Sequence, residues 1–285
     1  MASLKEIKGR IASVSNTLKI TSAMKMVSSA KLHRMQGVAA SLERYEERLR
    51  RIASHLSASE QRGALSPWQA SRAECRKVAL VVLSSDSSLC GAFNHNILRR
   101  LKGELEALKA KGCEEVVIYP IGEKIAQTVT REGYQACFDY RALISKPNYS
   151  SASQAAEELM DRYRQGEFDA LYILHNHFYS LGKQAPVLEQ WLPMALEKRE
   201  EKIGEEYILE PEAALLQEEL LPYTLRTQFY GRLLDSAVAE HAARMIAMQT
   251  ASDNASNLLE ELRLSYNKRR QQAITEELSD IAQSQ

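Results

Sequence analysis

The sequence has 285 residues, of which 45% are hydrophobic and 26% are charged, values of a folded chain that exclude a disordered protein. Its 37 basic and 37 acidic side chains cancel, which excludes nucleic-acid binding through an overall positive charge. The charge is unevenly distributed: +7 in residues 1–56 (11 basic, 4 acidic), −6 in residues 57–222 (19 and 25) and −1 in residues 223–285 (7 and 8). The neutral total therefore combines three segments of different charge.

The compartment is indicated by the N-terminus and the cysteines. The first residues include charges of both signs, so neither a secretory signal nor a mitochondrial transit peptide is expected, and a bacterial source is inferred. No apolar run approaches the roughly 18–20 residues of a membrane-spanning helix. Cys75, Cys90, Cys113 and Cys137 form no CxxC pair and no metal-ligand spacing, so we expect reduced thiols without a special role.

Residues 1–60 are predicted to form one long helix, because they contain no proline and little glycine. Their apolar residues recur every three or four positions, the spacing of a helix that pairs with a second helix. The first tract is Leu4, Ile7, Ile11, Val14 and Leu18, and the second is Met35, Val38, Leu42, Tyr45, Leu49, Ile52 and Leu56. Between them, Ile20 to Ala30 is rich in small residues, and the apolar spacing predicts a change of phase there.

Residues 211–285 are predicted to form the second long helix, with no proline after Pro222. The pattern continues through Leu225, Phe229, Leu234, Val238, Ala242, Met245, Met248, Ala255, Leu258, Leu262 and Tyr266, and then Ile274, Leu278 and Ile281. Each terminal helix is expected to run for about 55–60 residues, or about 80–90 Å. Because both are unusually long, we predict that they pair with each other in an antiparallel arrangement.

Residues 70–210 show a different pattern, in which apolar runs of strand length alternate with helical periodicity. The strand candidates are Val78–Leu83, Val116–Tyr119 and Leu171–Leu174, and the helical patterns cover 97–108 and 155–160. This alternation is typical of a parallel α/β sheet. The predicted fold class is α/β, a long antiparallel coiled coil of the N- and C-terminal helices plus a central Rossmann-like α/β domain. The acid-rich residues 196–219 are expected to contain a short hairpin and the root of the last helix.

The loop Ser84–Asn94 follows the first predicted strand, at a place where α/β proteins often bind anions. It lacks the glycine spacing of dinucleotide and P-loop motifs, so a nucleotide site is weakly supported. Cys90 with His95 is a candidate nucleophile and base. The alternative, which we favour, is a capped turn with Cys90 as a small buried residue.

Three other features each leave alternatives open. His175-Asn176-His177 would place two imidazoles on one strand face, but no third metal ligand is evident, so a strand-end polar cluster is favoured. The basic front helix has no interleaved aromatic residues, so a solvated face or a face toward an acidic protein is favoured over nucleic-acid binding. The Ala, Met, Ser and Gln content of the C-terminal helix fits a rod end inside another protein or an exposed coiled coil.

The most specific segments of the sequence lie near its two ends. They are Ile11–Val27, Ala30–Leu32, Glu240–Met248, Ala251–Asn254, Tyr266–Gln271 and Ile274–Leu278. Together they resemble the gamma subunit of bacterial F-type ATP synthases, and the resemblance covers essentially the whole chain. The loop Ser85–Asn94 also looks like the family's loop after the first strand. Ser87-Ser88 stand where the family usually has Arg-Gly, which leaves the geometry of the turn open.

The resemblance implies a central rotor shaft that couples proton flow through the c-ring to ATP synthesis or hydrolysis by rotation. The paired helices would stand in the alpha/beta hexamer, and the α/β domain would sit on the c-ring. Implied beta-subunit contacts are Met24 and Lys25 on the first helix, with Arg244, Gln271 and Thr275 near the same beta-subunit loop. Implied contacts with the c-ring and the epsilon subunit are Tyr207 and Glu210.

The resemblance further implies no catalytic residue, no cofactor, no metal and no nucleic-acid partner. It places the chain as a peripheral protein on the cytoplasmic face of the bacterial inner membrane, attached only through the c-ring. One alternative is a Rossmann-like small-molecule enzyme with coiled-coil dimerisation arms, supported by the loop near Cys90. Another is a helical adaptor or nucleic-acid-associated coiled coil, supported by the basic front helix.

Overall fold

The computed structural model describes residues 3–59, 66–70, 75–195, 210 and 213–283. The helices are α1 (Leu4–Ser59), α2 (Phe93–Ala110), α3 (Glu123–Glu132), α4 (Tyr149–Gln165) and α5 (Ala213–Gln283), with a short 3-10 helix at Arg141–Ile144. The strands are β1 (Lys77–Leu83), β2 (Glu115–Ile121), β3 (Ala170–Ser180) and β4 (Lys183–Leu192). The chain divides into two compact units, one of residues 1–31 with 244–285 and the other of residues 32–243. In the described ranges, no helix combines the length and apolar character needed to cross a membrane.

The described strands form one mixed sheet in the order β2-β1-β3-β4. β1 pairs with β2 and β3 in parallel, as the sequence predicts, but β4 is antiparallel to β3 and was not predicted. Pro186 lies within β4, and a proline argues against a central strand because it cannot donate to the ladder. It is tolerated because β4 is an edge strand. The hairpin predicted within 196–219 falls mainly on residues 196–209, 211 and 212, which lie outside the described residues.

The sheet is covered on both faces, which explains why β1 is apolar at every position from Val78 to Leu83. Val78, Leu80 and Val82 pack with side chains of α2 and α3 on one face. Ala79, Val81 and Leu83 pack with α4, α5, Ala53 of α1 and Trp68 on the other face. The predictions of α2 and α4 are confirmed, whereas α3 was not predicted. The resulting three-layer arrangement is the predicted Rossmann-like α/β architecture.

Along α1, positions that alternate by three and four residues are buried or partly buried without interruption. In the first unit they are Leu4, Ile7, Ile11, Val14, Leu18, Thr21, Lys25 and Ser28; in the second they are Leu32, Met35, Ala39, Leu42, Glu46, Leu49, Ala53 and Leu56. We call these positions the buried line of α1. The predicted change of phase between residues 20 and 30 is therefore wrong, because polar side chains occupy the line there.

Three of the seven residues of the second predicted tract are also misplaced. Val38, Tyr45 and Ile52 are 49%, 43% and 46% exposed, and the residue after each of them, Ala39, Glu46 or Ala53, lies on the buried line instead. The prediction is wrong here because it relied on hydrophobic residues, whereas the buried line of α1 also contains small residues and one carboxylate. On α5, similarly, Leu259 is buried and the predicted Leu258 is 43% exposed.

Helix α5 runs from Ala213 to Gln283, close to the predicted 211–285, and it includes Pro222. A proline inside a helix costs about 3 kcal/mol, because it lacks the N–H donor and crowds the preceding turn. Leu221, Leu225 and Phe229 are almost completely buried around it. Burial of each such side chain contributes about 1.5–3 kcal/mol, so packing in the second unit outweighs the cost of the proline.

An ion cluster that includes the buried Glu46 joins α1, α5 and β4 in the second unit. Arg232 Nε lies 2.5 Å from Glu189 Oε2, and Arg232 Nη1 lies 3.5 Å from Glu46 Oε2. Burial raises the pKa of Glu46 to about 7, with Arg232 and Arg50 only partly offsetting it. A Cβ added to Gly231 would overlap the Glu46 carboxylate. A larger residue at this point would therefore have to displace the Glu46 carboxylate from its place beside Arg232.

We expect Gly231→Ala to lower the free energy of unfolding by about 3 kcal/mol, because the new methyl group forces Glu46 away from Arg232. Gly103→Ala on α2 is the control, since a Cβ there meets nothing within 4 Å. The control should raise stability by about 0.5–1 kcal/mol through helix propensity. Urea denaturation of both full-length variants measures the difference, and equal stabilities would contradict the packing argument.

The raised pKa of Glu46 predicts a pH dependence of stability. Folding favours the protonated carboxyl, so stability contributed by this group is present below the unfolded pKa of 4.5 and is lost as pH rises through about 7. Between pH 4.5 and pH 8, Glu46→Gln should therefore gain about 3 kcal/mol relative to the parent chain. Glu47→Gln, at an exposed position on the same helix, is the control and should keep the pH dependence caused by Glu46. If the free energy of unfolding of Glu46→Gln and of the parent chain changed equally with pH, the raised pKa of Glu46 would be refuted.

Candidate functional site

The loop Ser84–Asn94 caps the N-terminus of α3. Three successive backbone N–H groups of α3 donate to it, in the pairs Glu123 N to Asp86 Oδ1 (3.1 Å), Lys124 N to Ser85 O (3.1 Å) and Ile125 N to Ser84 Oγ (3.0 Å). Such N–H groups bind anions where a helix terminus is open. Here they are bonded to the loop itself, so an anion would have to displace these bonds.

Cys90 is part of the internal bonding of the same loop. Its side chain is 1% exposed and packs with Phe93 and Ala239. Asn94 Nδ2 donates to Cys90 Sγ at 3.2 Å and to Ser85 Oγ at 2.7 Å. His95 is exposed, whereas Cys90 is buried, so the two do not form an accessible nucleophile and base. The geometry agrees with the capped turn that the sequence favoured.

Ser88, which stands where the family usually has glycine, does not have a positive φ angle in this turn. The positive φ angles in this loop are at Leu89 (68°) and Gly91 (58°), not at Ser88. Ser88 therefore does not need glycine's conformational freedom. The side chain of Leu89 is exposed, which removes any steric conflict with the core.

His175 and His177 at the end of β3 meet a third group that the sequence did not reveal, Asp235 of α5. Asp235 Oδ2 lies 3.2 Å from His175 Nε2 and 2.6 Å from His177 Nδ1, and Phe178 N donates to Oδ1 at 3.0 Å. Burial alone would raise the pKa of Asp235, but the hydrogen bond and charge of His175, with His177 and Phe178 N, hold that pKa below its usual value. Asp235 was missed because it is distant in sequence from the two histidines.

The three ligand atoms lie within 4.8 Å of one another, so these residues are the described group best placed to hold a metal. Two ligands of a tetrahedral zinc ion, each about 2.0–2.1 Å from it, are about 3.3 Å apart. The 2.6 Å separation of His177 Nδ1 and Asp235 Oδ2 is shorter than that and fits a hydrogen bond. The arrangement therefore supports the strand-end polar cluster, which holds α5 to β3.

In the unit of residues 1–31 and 244–285, α1 and α5 pair through polar side chains. Ser252 Oγ donates to Thr21 Oγ1 at 2.8 Å, and Lys25 Nζ donates to Gln249 Oε1 at 2.7 Å. Higher residue numbers on α1 meet lower numbers on α5, so the pair is antiparallel, as predicted. Gln249 Nε2 in turn donates to Asp253 Oδ1 at 2.8 Å. Hydroxyl and amide contacts thus replace bulky aliphatic packing in this part of the helix pair.

The five residues implied as beta-subunit contacts lie at separate levels of this unit. Met24 and Lys25 are partly buried on α1, and Lys25 bonds to Gln249. Arg244 is 8% exposed, whereas Gln271 and Thr275 are exposed and Thr275 Oγ1 donates to Gln271 O at 2.9 Å. The 27 positions from Arg244 to Gln271 along α5 correspond to about 40 Å. A single short loop therefore cannot contact all three α5 residues at once.

Several large apolar side chains of the same unit project outward instead of toward the paired helix. On α1 they are Ile20, Met26 and Val27, and Met26 is 69% exposed. On α5 they are Ile246, Leu258, Leu264, Ile274 and Leu278, and Leu264 is 67% exposed. These side chains are the described candidates for a surface that another protein covers. The two α1 tracts and the α5 pattern predicted from the sequence leave out Ile20, Met26, Val27, Ile246 and Leu264. They include Leu258, Ile274 and Leu278, so the prediction is wrong for these three, which are exposed.

The implied c-ring and epsilon contacts are only partly described. Tyr207 lies outside the described residues, and Glu210 is exposed. The basic residues of the front helix are also exposed, apart from the partly buried Lys25. This agrees with a solvated or partner-facing surface.

Sequence comparison places the whole chain among known proteins. A family described as ATP synthase matches residues 3–284. The ATP synthase gamma chain of Phocaeicola vulgatus is 47% identical over 285 residues, covering 99% of this chain and 98% of the relative. The ATP synthase gamma chain of Nitrosomonas europaea is 36% identical over 289 residues, with 99% and 98% coverage.

Solved structures share the fold. A chain of the Euglena gracilis mitochondrial ATP synthase (OSCP/F1/c-ring, rotational state 3) aligns with a TM-score of 0.63 at 16% identity, covering 99% of this chain and 93% of that one. A chain of the Tetrahymena thermophila mitochondrial ATP synthase central stalk and c-ring aligns with a TM-score of 0.56 at 20% identity, covering 82% and 99%. With the family match over nearly all residues and these identities, the chain belongs to the gamma chain family of F-type ATP synthases.

Proposed function

We propose that this chain is the non-catalytic central-stalk rotor of a bacterial F-type ATP synthase. It couples proton flow through the c-ring to ATP synthesis or hydrolysis in the alpha/beta hexamer by rotation. The observation that carries the proposal, beside family membership, is the outward-facing apolar side chains of residues 1–31 and 244–285. Exposed on a free chain, these side chains would favour aggregation, but they are suited to the interior of a hexameric partner.

The polar pairing of α1 and α5 in this unit suits a shaft. Thr21 and Ser28 of the buried line of α1 and Ser252 of α5 are all buried. Because these side chains are small, the two helices approach closely and the pair is narrow. A rotor must also leave each contact as it turns, which disfavours deeply inserted anchors. Its effect on distant catalytic sites comes from contacts that differ with angle and so bias their conformations.

A non-catalytic role is supported by the two polar clusters of the α/β domain. The first-turn N–H groups of α3 are bonded to the loop Ser84–Asn94, and Cys90 is buried. His175, His177 and Asp235 bond to one another and hold α5 against β3. Each cluster therefore has a structural use, and the enzyme alternative loses the loop that was its main sequence support.

The remaining partners follow from the rotor role. The α/β domain would contact the c-ring and the epsilon subunit, with Tyr207 and Glu210 as the contact residues, on the cytoplasmic face of the inner membrane. The acid-rich segment Glu197–Glu212 suits a cationic c-ring loop. Met24, Lys25 and Arg244 would meet beta subunits at one level of the shaft, and Gln271 and Thr275 would meet them at a level about 40 Å further along α5.

Gln271 allows a sharp test of coupling, because its side chain is exposed and its removal should not affect folding. Gln271→Ala is expected to lower ATP-driven proton pumping relative to ATP hydrolysis about 3–10-fold, the value of one lost hydrogen bond. The matched control is Gln272→Ala, which removes an identical exposed side chain about 100° around the helix. Pumping and hydrolysis are measured on the same inverted membrane vesicles. Equal ratios of proton pumping to ATP hydrolysis in the two variants would refute the proposed contact of Gln271 with a beta subunit.

Arg244→Ala should weaken coupling in the same direction. Arg244 is only 8% exposed, so its replacement could also affect folding. The helix content of the variant and its assembly with the other subunits are therefore measured together with proton pumping. Recovery of the alpha and beta subunits with affinity-tagged full-length chain tests the role as a whole. Recovery of neither subunit from the source membranes would overturn the proposed function.

A further inference from the structure

Two of the four cysteines lie opposite each other at the start of β1 and β2. The parallel register pairs Lys77 with Glu115, so two residues earlier it places Cys75 beside Cys113. The register is maintained beyond the strands, because Glu114 N donates to Arg76 O at 2.8 Å. Neighbouring strands are about 4.8 Å apart, within the Cα separation that a disulfide needs.

Side-chain contacts agree with this placement. Cys113 Sγ donates to Cys75 O at 3.5 Å, and Cys113 is near enough to contribute to the raised pKa of the Cys75 thiol. The ion pairs Arg76–Glu114 (3.4 Å) and Lys77–Glu115 (3.5 Å) join the following residues across the same two strands. Asp169 Oδ2 accepts from Arg76 N and Lys77 N, which ties this end of β1 to the residue before β3.

We propose that Cys75 and Cys113 form a reversible disulfide when the protein meets a hydroperoxide. One thiol loses its proton, and the thiolate attacks one oxygen of hydrogen peroxide and breaks the O–O bond, which gives a sulfenic acid and hydroxide. The hydroxide takes up the proton and leaves as the first water. The second thiol attacks that sulfur, the S–S bond forms, and a second water leaves. The two thiols are oxidised, and one hydrogen peroxide is reduced to two water molecules. A dithiol reductant restores the thiols by exchange.

The surroundings set how readily the reaction occurs. Cys75 is exposed and Cys113 is partly exposed, so a small oxidant reaches them. Burial, and then the nearby Cys113 and Asp169, raise the pKa of the Cys75 thiol, and Tyr172 of β3 also faces the pair. Because the thiolate is the attacking species, the oxidation rate should increase with pH.

The other two cysteines provide internal controls. Cys90 is 1% exposed and bonded to Asn94, so it should resist oxidation. Cys137 is as accessible as Cys113, but its thiol donates to Asp139 Oδ2 at 2.9 Å and it has no described cysteine opposite it. It should react without forming a disulfide to Cys75 or Cys113. Oxidation of the proposed pair would close a loop of residues 75–113, which contains β1 and α2, and it would restrict the unfolded chain.

The test treats the full-length reduced chain, and its Cys75→Ser, Cys113→Ser and Cys137→Ser variants, with about one equivalent of hydrogen peroxide. Remaining thiols are alkylated, and tryptic peptides are mapped by mass before and after dithiothreitol. Trypsin separates the cysteines, because Arg76 and Lys111 lie between them. The unmodified chain and Cys137→Ser should each give one linked pair, Cys75 with Cys113, which dithiothreitol removes. Cys75→Ser and Cys113→Ser should give no linked peptide.

Oxidation should also raise the midpoint of thermal unfolding of the unmodified chain by about 5 °C, and not that of Cys75→Ser or Cys113→Ser. The proposal is overturned if Cys75 and Cys113 remain fully alkylatable after peroxide treatment. It is equally overturned if either is found only as a sulfinic acid or linked to Cys137. Because the mapping is read on the unmodified chain, poor folding of a serine variant does not affect the result.

Discussion

The three-and-four spacing of α1 decides which of its faces is buried, and the rest of the helix pairing depends on it. The spacing is kept even where Thr21, Lys25, Ser28 and Glu46 occupy the buried line. At these points pairing relies on hydrogen bonds and ion pairs, such as Ser252 to Thr21 and Arg232 to Glu46, because no aliphatic side chain fills the space. Small and polar side chains between α1 and α5 allow the two helix backbones to approach closely. Gly231, which has no side chain, is the smallest of these residues. Because the buried line of α1 carries polar residues in this segment, the apolar Met26 and Val27 lie on the exposed side of the helix, where a partner protein can cover them.

The α/β domain uses polar groups for a different purpose. The loop Ser84–Asn94 has the position of an anion-binding loop, but its oxygens accept the N–H groups that an anion would use. Asp235 likewise accepts from His175, His177 and Phe178 N, so one carboxylate connects α5 to the end of β3. Both clusters join elements that are distant in sequence. A pattern that resembles a catalytic motif can therefore be a structural joint when its polar groups bond to one another across two elements.

Much of the fold could be predicted from sequence, because the strongest periodic signals correspond to elements buried on one or more sides. β1, β2, β3, α2, α4 and the two terminal helices were of this kind. β4 was obscured by Pro186, which only an edge strand tolerates, and α3 by its mostly polar sequence. The candidate site was less predictable. The outward apolar residues were visible, but their exposure was not, and Asp235 could be joined to the two histidines only by the tertiary packing of α5.

The amino-acid sequence alone determined the two long helices and the alternating strands and helices between them, since proline placement and apolar spacing act locally. It also carried the family resemblance through the segments at both ends. Only the tertiary structure decided which residues are buried in the second tract of α1 and along α5, because burial depends on the partner surface and not on the hydrophobicity of a residue by itself. The same reason explains Val38, Tyr45 and Ile52, which are apolar and exposed, and Glu46, which is charged and buried against Arg232.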